Sequence, residues 1–164
     1  MNAQTDNPRV IGIDPGLDGG ITCVESGHIV SSIAMPTVAL GKKRIIDGVA
    51  VCRFIRSMNP SKITMERVHS MPKQGISSTF SFGHGFGLLE GIIVAMEIPY
   101  QLVIPQTWMK KVLTGLPKDE KSKSSVVYCQ RLFPTIDWRR TDRCKVPHDG
   151  KTDSCCIAIF TLEN

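Results

Sequence analysis

The first third of the chain alternates short apolar runs with glycine-rich turns. Arg9 to Ile13 is a β-branched run typical of a buried strand, and Asp14-Pro15-Gly16 ends it. Gly19-Gly20 leads into a second strand, Ile21 to Glu25, and a hairpin turn then predicts a third, His28 to Met35. The pattern therefore predicts an antiparallel meander of three strands.

The spacing of apolar residues changes in the middle of the chain. Pro36 to Lys43 predicts a loop, while apolar residues three and four apart from Ile45 to Met58 predict a helix. Lys62 to Met65 is a short buried strand that leads into Glu66. A second helix is predicted from Thr79 to Met96, where the density of glycines is typical of close packing against a neighbour.

The last third predicts one strand followed by three helices. The strand is Tyr100 to Ile104, and the helices are Pro105 to Leu113, Ser124 to Phe133 and Asp149 to Leu162, with a long connection from Pro134 to Pro147. A meander followed by strand–helix–strand crossovers predicts an α/β fold. We expect a mixed five-stranded sheet with helices on both faces.

Length and composition place the chain among ordinary globular proteins. It has 164 residues, 41% of them hydrophobic and 21% charged, so we expect one domain over residues 1–164, with residues 1–8 flexible. No apolar run approaches the roughly 18 residues that a membrane helix needs, and the polar start lacks the apolar segment of a secretory signal. We therefore expect a cytoplasmic protein. The six cysteines have no CxxC spacing, which predicts reduced, structural thiols and no zinc.

The positive charge is unevenly distributed. The chain carries a formal net charge of +5, yet residues 101–151 contain eleven Lys and Arg against five Asp and Glu. The rest of the chain is almost neutral. A basic half of this kind indicates a polyanionic partner that is met on one face, although many basic proteins bind no nucleic acid.

Two carboxylates follow buried strands. Asp14 comes directly after the first strand, and Glu66 directly after Ile63-Thr64-Met65. Ligands of α/β sheets usually bind at the carboxyl ends of strands, so the two acids are candidates for one site. Taken singly, Asp14 is equally well explained as a turn residue, and Glu66 as a solvated side chain.

A second pair of carboxylates opens the last predicted helix. Asp149 and Asp153 are four residues apart and therefore share one face, where their like charges repel by a few tenths of a kcal/mol. An acidic first turn is common, but a shared cation would remove the repulsion. Four carboxylates suit Mg²⁺ or Mn²⁺, and two such ions could hydrolyse a phosphodiester. His148, just before the helix, is predicted to play a supporting role.

Three short motifs, in this order and spacing, resemble the RuvC-type Holliday junction resolvases, particularly phage or organelle-like members. They are Ile11-Gly-Ile-Asp-Pro-Gly, Glu66-Arg-Val and His148-Asp-Gly-Lys-Thr-Asp-Ser. The resemblance implies a ribonuclease H-like fold, a homodimer and paired nicks across a four-way junction that depend on two Mg²⁺ ions, which Mn²⁺ would replace. A phage-encoded member would work in the cytoplasm of its host.

The resemblance also implies residue roles. Asp14, Glu66, Asp149 and Asp153 match the family's four catalytic, metal-binding acids. The helix over Gly83 to Gly91 matches the one that builds the family's dimer interface. The last two acids are four residues apart, where bacterial members often have three, so we expect a slightly shifted metal site.

The DNA contacts implied by the resemblance lie in three places. Arg67 and His69 follow Glu66; bacterial members commonly have a junction-wedging aromatic where this chain has His69. Phe80 and Phe82 could replace it, although core packing is the expected role of both. The lysines at the positions of the family's phosphate contacts are Lys110, Lys111, Lys118, Lys121 and Lys123. Such contacts position DNA without reading its sequence.

Other functions remain compatible with parts of the pattern. Sugar-kinase and actin-like ATPases also begin with a strand, an aspartate and a glycine turn, but they need two such domains, for which 164 residues are too few. A junction-binding protein that does not cut, and a nuclease of broader preference that also cuts flaps or forks, would keep the same fold. Cleavage tests separate these from a junction resolvase.

Overall fold

A mixed five-stranded sheet organises the chain in the computed structural model, which describes residues 8–67, 75–116 and 123–164. The strands are β1 (Arg9–Asp14), β2 (Gly20–Glu25), β3 (His28–Ala34), β4 (Thr37–Leu40), β5 (Lys43–Ile46), β6 (Lys62–Glu66) and β7 (Tyr100–Val103). The helices are α1 (Gly48–Met58), α2 (Ile76–Ala95), α3 (Pro105–Val112), α4 (Ser124–Leu132) and α5 (Asp149–Leu162).

The strand order is β3-β2-β1-β6-β7. The strands β1, β2 and β3 form the antiparallel meander, and β6 and β7 extend the sheet in parallel with β1. The predicted α/β fold with a mixed five-stranded sheet is therefore confirmed. In the described part of the chain, no helix is long and apolar enough to cross a membrane.

Helices cover both faces of the sheet, because successive side chains of β1 point to opposite faces. Ile11 and Ile13 join the buried cluster that contains Val51 and Ile55 of α1 and Leu89 of α2. The other face is covered by α3, α4 and α5, whose buried residues form a second cluster with Val10. The prediction of helices on both faces is thus confirmed.

The segment from Pro36 to Ile46 departs from the prediction. The expected loop is a hairpin of β4 and β5, turned at Gly41 with φ +60°, and Ile45 pairs with Val38 in this hairpin and does not begin α1. The charged run Lys42-Lys43-Arg44 concealed the alternation of a strand. The helix begins instead after Asp47, whose carboxylate accepts the Ala50 amide at 3.0 Å.

The close approach of α5 to β1 depends on Gly12. A Cβ atom at this position would overlap the Ser154 carbonyl oxygen and the Ala158 amide nitrogen of α5. The same holds where α5 begins, since a Cβ at Gly20 would overlap the backbone of Gly150. Two glycines in neighbouring strands thus allow the helix backbone to lie directly against the sheet.

The substitution Gly12→Ala is expected to destabilise the protein. The added methyl meets backbone atoms that cannot rotate away, a case of overpacking that typically costs about 1–3 kcal/mol. For a chain of this size the melting temperature falls by about 2–4 °C per kcal/mol, measurable by thermal unfolding. Gly16→Ala is the matched control, because its Cβ would meet its nearest neighbour at an ordinary 3.6 Å. Equal melting temperatures for the two variants would contradict the packing argument.

Candidate functional site

Asp14 and Glu66 lie side by side at one edge of the sheet. β1 and β6 are parallel neighbours, and Ile13 pairs with Met65, so each strand ends with its carboxylate at the same level. Adjacent strands are about 4.8 Å apart, which brings the two side chains into the same crevice. The register thus places the two strand-end acids next to each other.

Helix α5 brings the second pair of acids to this edge. Asp149 opens its first turn and Asp153 follows one turn later. The helix start is held against the β1–β2 turn by the contact between Gly150 and Gly19-Gly20. Asp14, Asp149 and Asp153 consequently line one cleft of about 440 Å³.

The electrostatics of Asp14 reflect this clustering. The pKa of Asp14 is raised to about 7, mainly by burial and in addition by the negative charges of Asp153 and Glu66. The amide of Gly16 and the ammonium of Lys123 act in the opposite direction. The carboxylate of Asp14 is therefore close enough to acids of β6 and α5 to be affected by their charges.

Glu66 is held by a tryptophan that the sequence analysis did not identify. The Nε1–H of Trp108, in the first turns of α3, donates to Glu66 Oε1 at 2.8 Å. Burial raises the pKa of Glu66, and this hydrogen bond partly lowers it again. No local signal marks Trp108, because it reaches Glu66 only through the β6–β7 pairing, in which Glu66 lies opposite Val103.

Lys123 lies among the acids as their positive partner. Its ammonium is 2.8 Å from Asp149 Oδ2, and its charge lowers the pKa values of Asp14, Glu66 and Asp153. Burial nevertheless raises the pKa of Asp153, against a hydrogen bond from Ser125. The residue before α4, Lys123, thus contributes a cation to the cluster, and Ser125 in its first turn contributes a hydroxyl.

The carboxylate oxygens of these acids are chemically suited to a hard divalent cation, although the side chains are not already arranged as a metal site. Within the described ranges, no three His, Cys, Asp or Glu side chains stand together as a metal-ligand group. The acids are nonetheless crowded enough to raise one another's pKa values. Oxygen ligands with excess negative charge are what Mg²⁺ prefers.

Comparisons with solved structures give the fold. Thermus thermophilus RuvC in complex with a Holliday junction substrate matches with a TM-score of 0.61 at 12% identity, over 93% of this chain and 91% of that one. The yeast mitochondrial Holliday junction resolvase Ydc2 matches with a TM-score of 0.56 at 18% identity, over 93% of this chain and 76% of that one. A fowlpox virus resolvase with its junction DNA matches with a TM-score of 0.50 at 12% identity, over 94% of this chain and 97% of that one.

The chain has the fold of the RuvC-type Holliday junction resolvases. The resemblance carried by the three sequence motifs, and with it the ribonuclease H-like fold, is confirmed. No family model and no curated protein matches the chain in sequence.

The predicted DNA-binding residues are spread over this RuvC-like fold. Arg67 is exposed and directly follows Glu66. Lys110 is exposed on α3, whereas Lys111 is engaged at the far end of α5, where its ammonium donates to the Glu163 carbonyl at 2.9 Å. α5 is roughly 20 Å long, so Lys111 lies well away from the acids at its start. His69, Lys118 and Lys121 lie outside the described residues.

Two further side chains named in the sequence analysis are Phe80 and His148. Phe80, whose expected role was core packing, is 76% exposed on α2, so that expectation is wrong. The Nδ1 atom of His148 is buried and, among the described residues, has no hydrogen-bond partner. Burial, followed by the charge of Arg140, lowers the pKa of His148, so the ring is neutral near pH 7.

The raised pKa of Asp14 predicts a pH-dependent stability in EDTA. From about pH 4 the unfolded chain ionises Asp14 while the folded protein keeps it protonated, so stability falls as the pH rises and is lowest above about 7. The shift from 3.8 to about 7 corresponds to at most about 4 kcal/mol. Asp14→Asn should therefore raise the melting temperature relative to wild type at pH 8, and by much less at pH 4.

Asp142→Asn is the matched control for this measurement, because Asp142 is exposed on the 134–147 connection. The melting temperature of this variant should differ little from that of wild type at both pH 4 and pH 8. If the advantage of Asp14→Asn is the same at pH 4 and pH 8, the buried-charge interpretation fails.

Proposed function

We propose that this protein is a metal-dependent endonuclease that resolves four-way DNA junctions by paired phosphodiester hydrolysis. The observation that carries the proposal is the convergence of Asp14, Glu66 and Asp153 at the carboxyl edge of the sheet, where burial and mutual repulsion raise their pKa values. The RuvC-like fold and the basic residues around this edge support a DNA substrate. Junction DNA is also what the T. thermophilus and fowlpox relatives bind in their structures.

Asp14, Glu66, Asp149 and Asp153 would hold two Mg²⁺ ions, which Mn²⁺ would replace. When bound, such ions activate water and stabilise the leaving oxygen of a phosphodiester. The positive charge of the ions would also return the buried carboxylates to their ionised form at neutral pH. The cluster is consistent with this role, because its negative charge is only partly balanced by Lys123.

The protein's own residues position the acids and the DNA. Trp108 fixes the direction of the Glu66 carboxylate through its hydrogen bond of 2.8 Å. Supporting hydrogen bonds of this kind typically contribute 10- to 100-fold to metal affinity or activity. Lys123 pairs with Asp149 before metal binds, and its ammonium is free to contact a phosphate once the carboxylate is engaged elsewhere.

A homodimer would supply the second of the two cuts, and α2 offers a surface for it. Six residues three or four apart share one face along the length of the helix. They are Ile76, Phe80, Gly83, Gly87, Gly91 and Val94. Ile76 is 90% and Phe80 76% exposed, and a Cβ added at any of the three glycines would meet no atom of the described residues within 4 Å. A large apolar stripe with small residues at its centre suits the close packing of a second copy.

Cleavage of a synthetic four-way junction tests the proposed activity. In Mg²⁺ we expect symmetric, ligatable nicks in the junction, no cutting in EDTA, and little cutting of a plain duplex. Asp14→Asn and Asp153→Asn should reduce cleavage below detection, because each removes a proposed metal ligand, while junction binding survives. Cleavage is followed on denaturing gels and binding by fluorescence anisotropy.

Asp142→Asn is the control, since it removes an exposed carboxylate outside the cleft. A wild-type cutting rate in Asp14→Asn or Asp153→Asn would contradict the assignment of the acids. Binding without any metal-dependent nick would indicate a junction-binding protein, and equal cutting of flaps or forks would indicate a nuclease of broader preference.

The oligomeric state tests the role of α2. Light scattering after size exclusion should give the mass of two chains at micromolar concentration, and Gly87→Glu should give one chain, because it places a charge at the centre of the stripe. Val49→Glu on α1 is the matched control, since Val49 is 60% exposed and lies outside the stripe. A monodisperse wild-type monomer would rule out a stable dimer.

A further inference from the structure

Two arginines from distant parts of the chain converge on Asp18. Arg44 of β5 donates from Nη2 to Asp18 Oδ1 at 2.7 Å, and Arg140 donates from Nη1 to the same oxygen at 2.7 Å. Asp18 lies in the β1–β2 turn, four residues after Asp14. One carboxylate oxygen therefore brings two guanidinium groups together beside the proposed catalytic cleft.

The segment that carries Arg140 is anchored to α5. The largely buried Lys151 extends its ammonium from the first turn of the helix to the carbonyls of Asp137, at 2.6 Å, and Arg139, at 3.2 Å. The His148 amide donates to the Trp138 carbonyl at 2.8 Å, and Arg139 forms an isolated β-bridge with Pro147. Arg140 is thus presented by backbone that is fixed to the start of α5.

The hairpin that carries Arg44 is anchored to the same turn. The Met35 amide donates to the Gly19 carbonyl, and the Asp47 amide closes the base of the hairpin on the Pro36 carbonyl, both at 2.9 Å. Arg44 pairs with Ala39 within the hairpin. Both arginines are therefore held on ordered backbone at fixed positions relative to Asp14.

Asp18 neutralises only part of the positive charge of Arg44 and Arg140 and accepts only some of their N–H donors. Two guanidinium groups and one carboxylate leave a net charge of +1, and each guanidinium has five N–H donors. Within residues 8–67, 75–116 and 123–164, neither Arg44 nor Arg140 makes another side-chain hydrogen bond. The side chains are 40% and 28% exposed, so the remaining donors can be reached from solvent.

An ion pair alone is a poor explanation for this arrangement. Exposed salt bridges contribute little to stability, and Asp18 itself is 72% exposed. Bringing two like charges to one oxygen adds repulsion between them. Guanidinium groups are, however, the preferred partners of phosphate, whose oxygens accept two parallel N–H donors. Arg140 also lines the same cleft as Asp14 and Asp153.

We propose that Arg44 and Arg140, positioned by Asp18, form a binding site for a DNA backbone phosphate next to the one that is cut. The proposal rests on the proposed function and adds a phosphate contact from the β4–β5 hairpin and the 134–147 connection. Further exposed basic residues lie on the same two segments, with Lys42 and Lys43 on the hairpin and Arg143 and Lys145 on the connection. The site holds the strand in place and takes no part in bond breaking.

The salt dependence of junction binding tests this site. Fluorescence anisotropy with a labelled four-way junction in EDTA, over a series of NaCl concentrations, gives the slope of log K against log [salt]. Each lost phosphate contact should reduce this slope by about one. Arg44→Gln and Arg140→Gln should each weaken binding several-fold, and the double variant, which removes the one proposed phosphate contact, should lose about one from the slope. In Mg²⁺ the KM for cleavage should rise while kcat stays near the wild-type value.

Arg56→Gln is the matched control. Arg56 is exposed in the last turn of α1, which leads to the start of β6, at the opposite edge of the sheet from Glu66. This variant should keep the wild-type slope. The double Arg→Lys variant retains the charge and should keep most of the slope, which separates phosphate binding from a packing role. Melting temperatures confirm that each variant is folded.

Three results would overturn the phosphate site. They are an unchanged slope in the double Gln variant, an equal loss in Arg56→Gln, and an equal loss in the Arg→Lys variant. Because the titration is done without metal, it is independent of cutting. Wild-type protein that binds junctions through these arginines yet never cuts in Mg²⁺ would refute the proposed activity and leave the phosphate site standing.

Discussion

The arrangement of the candidate site depends on how closely α5 lies against the sheet. Gly12 in β1 and Gly20 in β2 leave no side chain between the helix backbone and the strands, and Gly150 meets the β1–β2 turn at the start of the helix. A larger residue at any of these contacts would push the helix away from the strand ends. Asp149 and Asp153 would then no longer share a cleft with Asp14, so the chemistry of the site follows from a packing constraint.

Close packing of this kind has an electrostatic cost that the surrounding residues offset in part. Burial and like charge raise the pKa values of Asp14, Glu66 and Asp153. Lys123 and Trp108 stabilise the ionised carboxylates with a cation and an N–H donor. Since these contacts offset the repulsion only in part, added positive charge would stabilise the site further. The β4–β5 hairpin and the 134–147 connection meet at its rim through Asp18, which holds two guanidinium groups beside the acids.

Much of the fold was predictable because its signals are local. The alternation of apolar residues and the glycine turns predicted the three-stranded meander. The helical spacing then predicted the crossovers, and with them the order in which the five strands of the main sheet and the helices follow one another along the chain. The hairpin from Thr37 to Ile46 was missed because its charged residues hide a strand that is stabilised by pairing and not by burial. Trp108 and Asp18 were missed as site residues for another reason: their partners lie 42 and 122 residues away in sequence.

The sequence by itself determined the strand-end positions of Asp14 and Glu66, the one-face spacing of Asp149 and Asp153, and the resemblance to RuvC-type resolvases that the fold confirms. These follow from chain geometry within a single strand or helix, which residue spacing encodes directly. Only the tertiary structure decided which side chains surround the acids, namely Trp108, Lys123 and the two arginines on Asp18. Contacts between distant segments depend on strand register and on how near two backbones can come, and neither is written in the local pattern of any one segment.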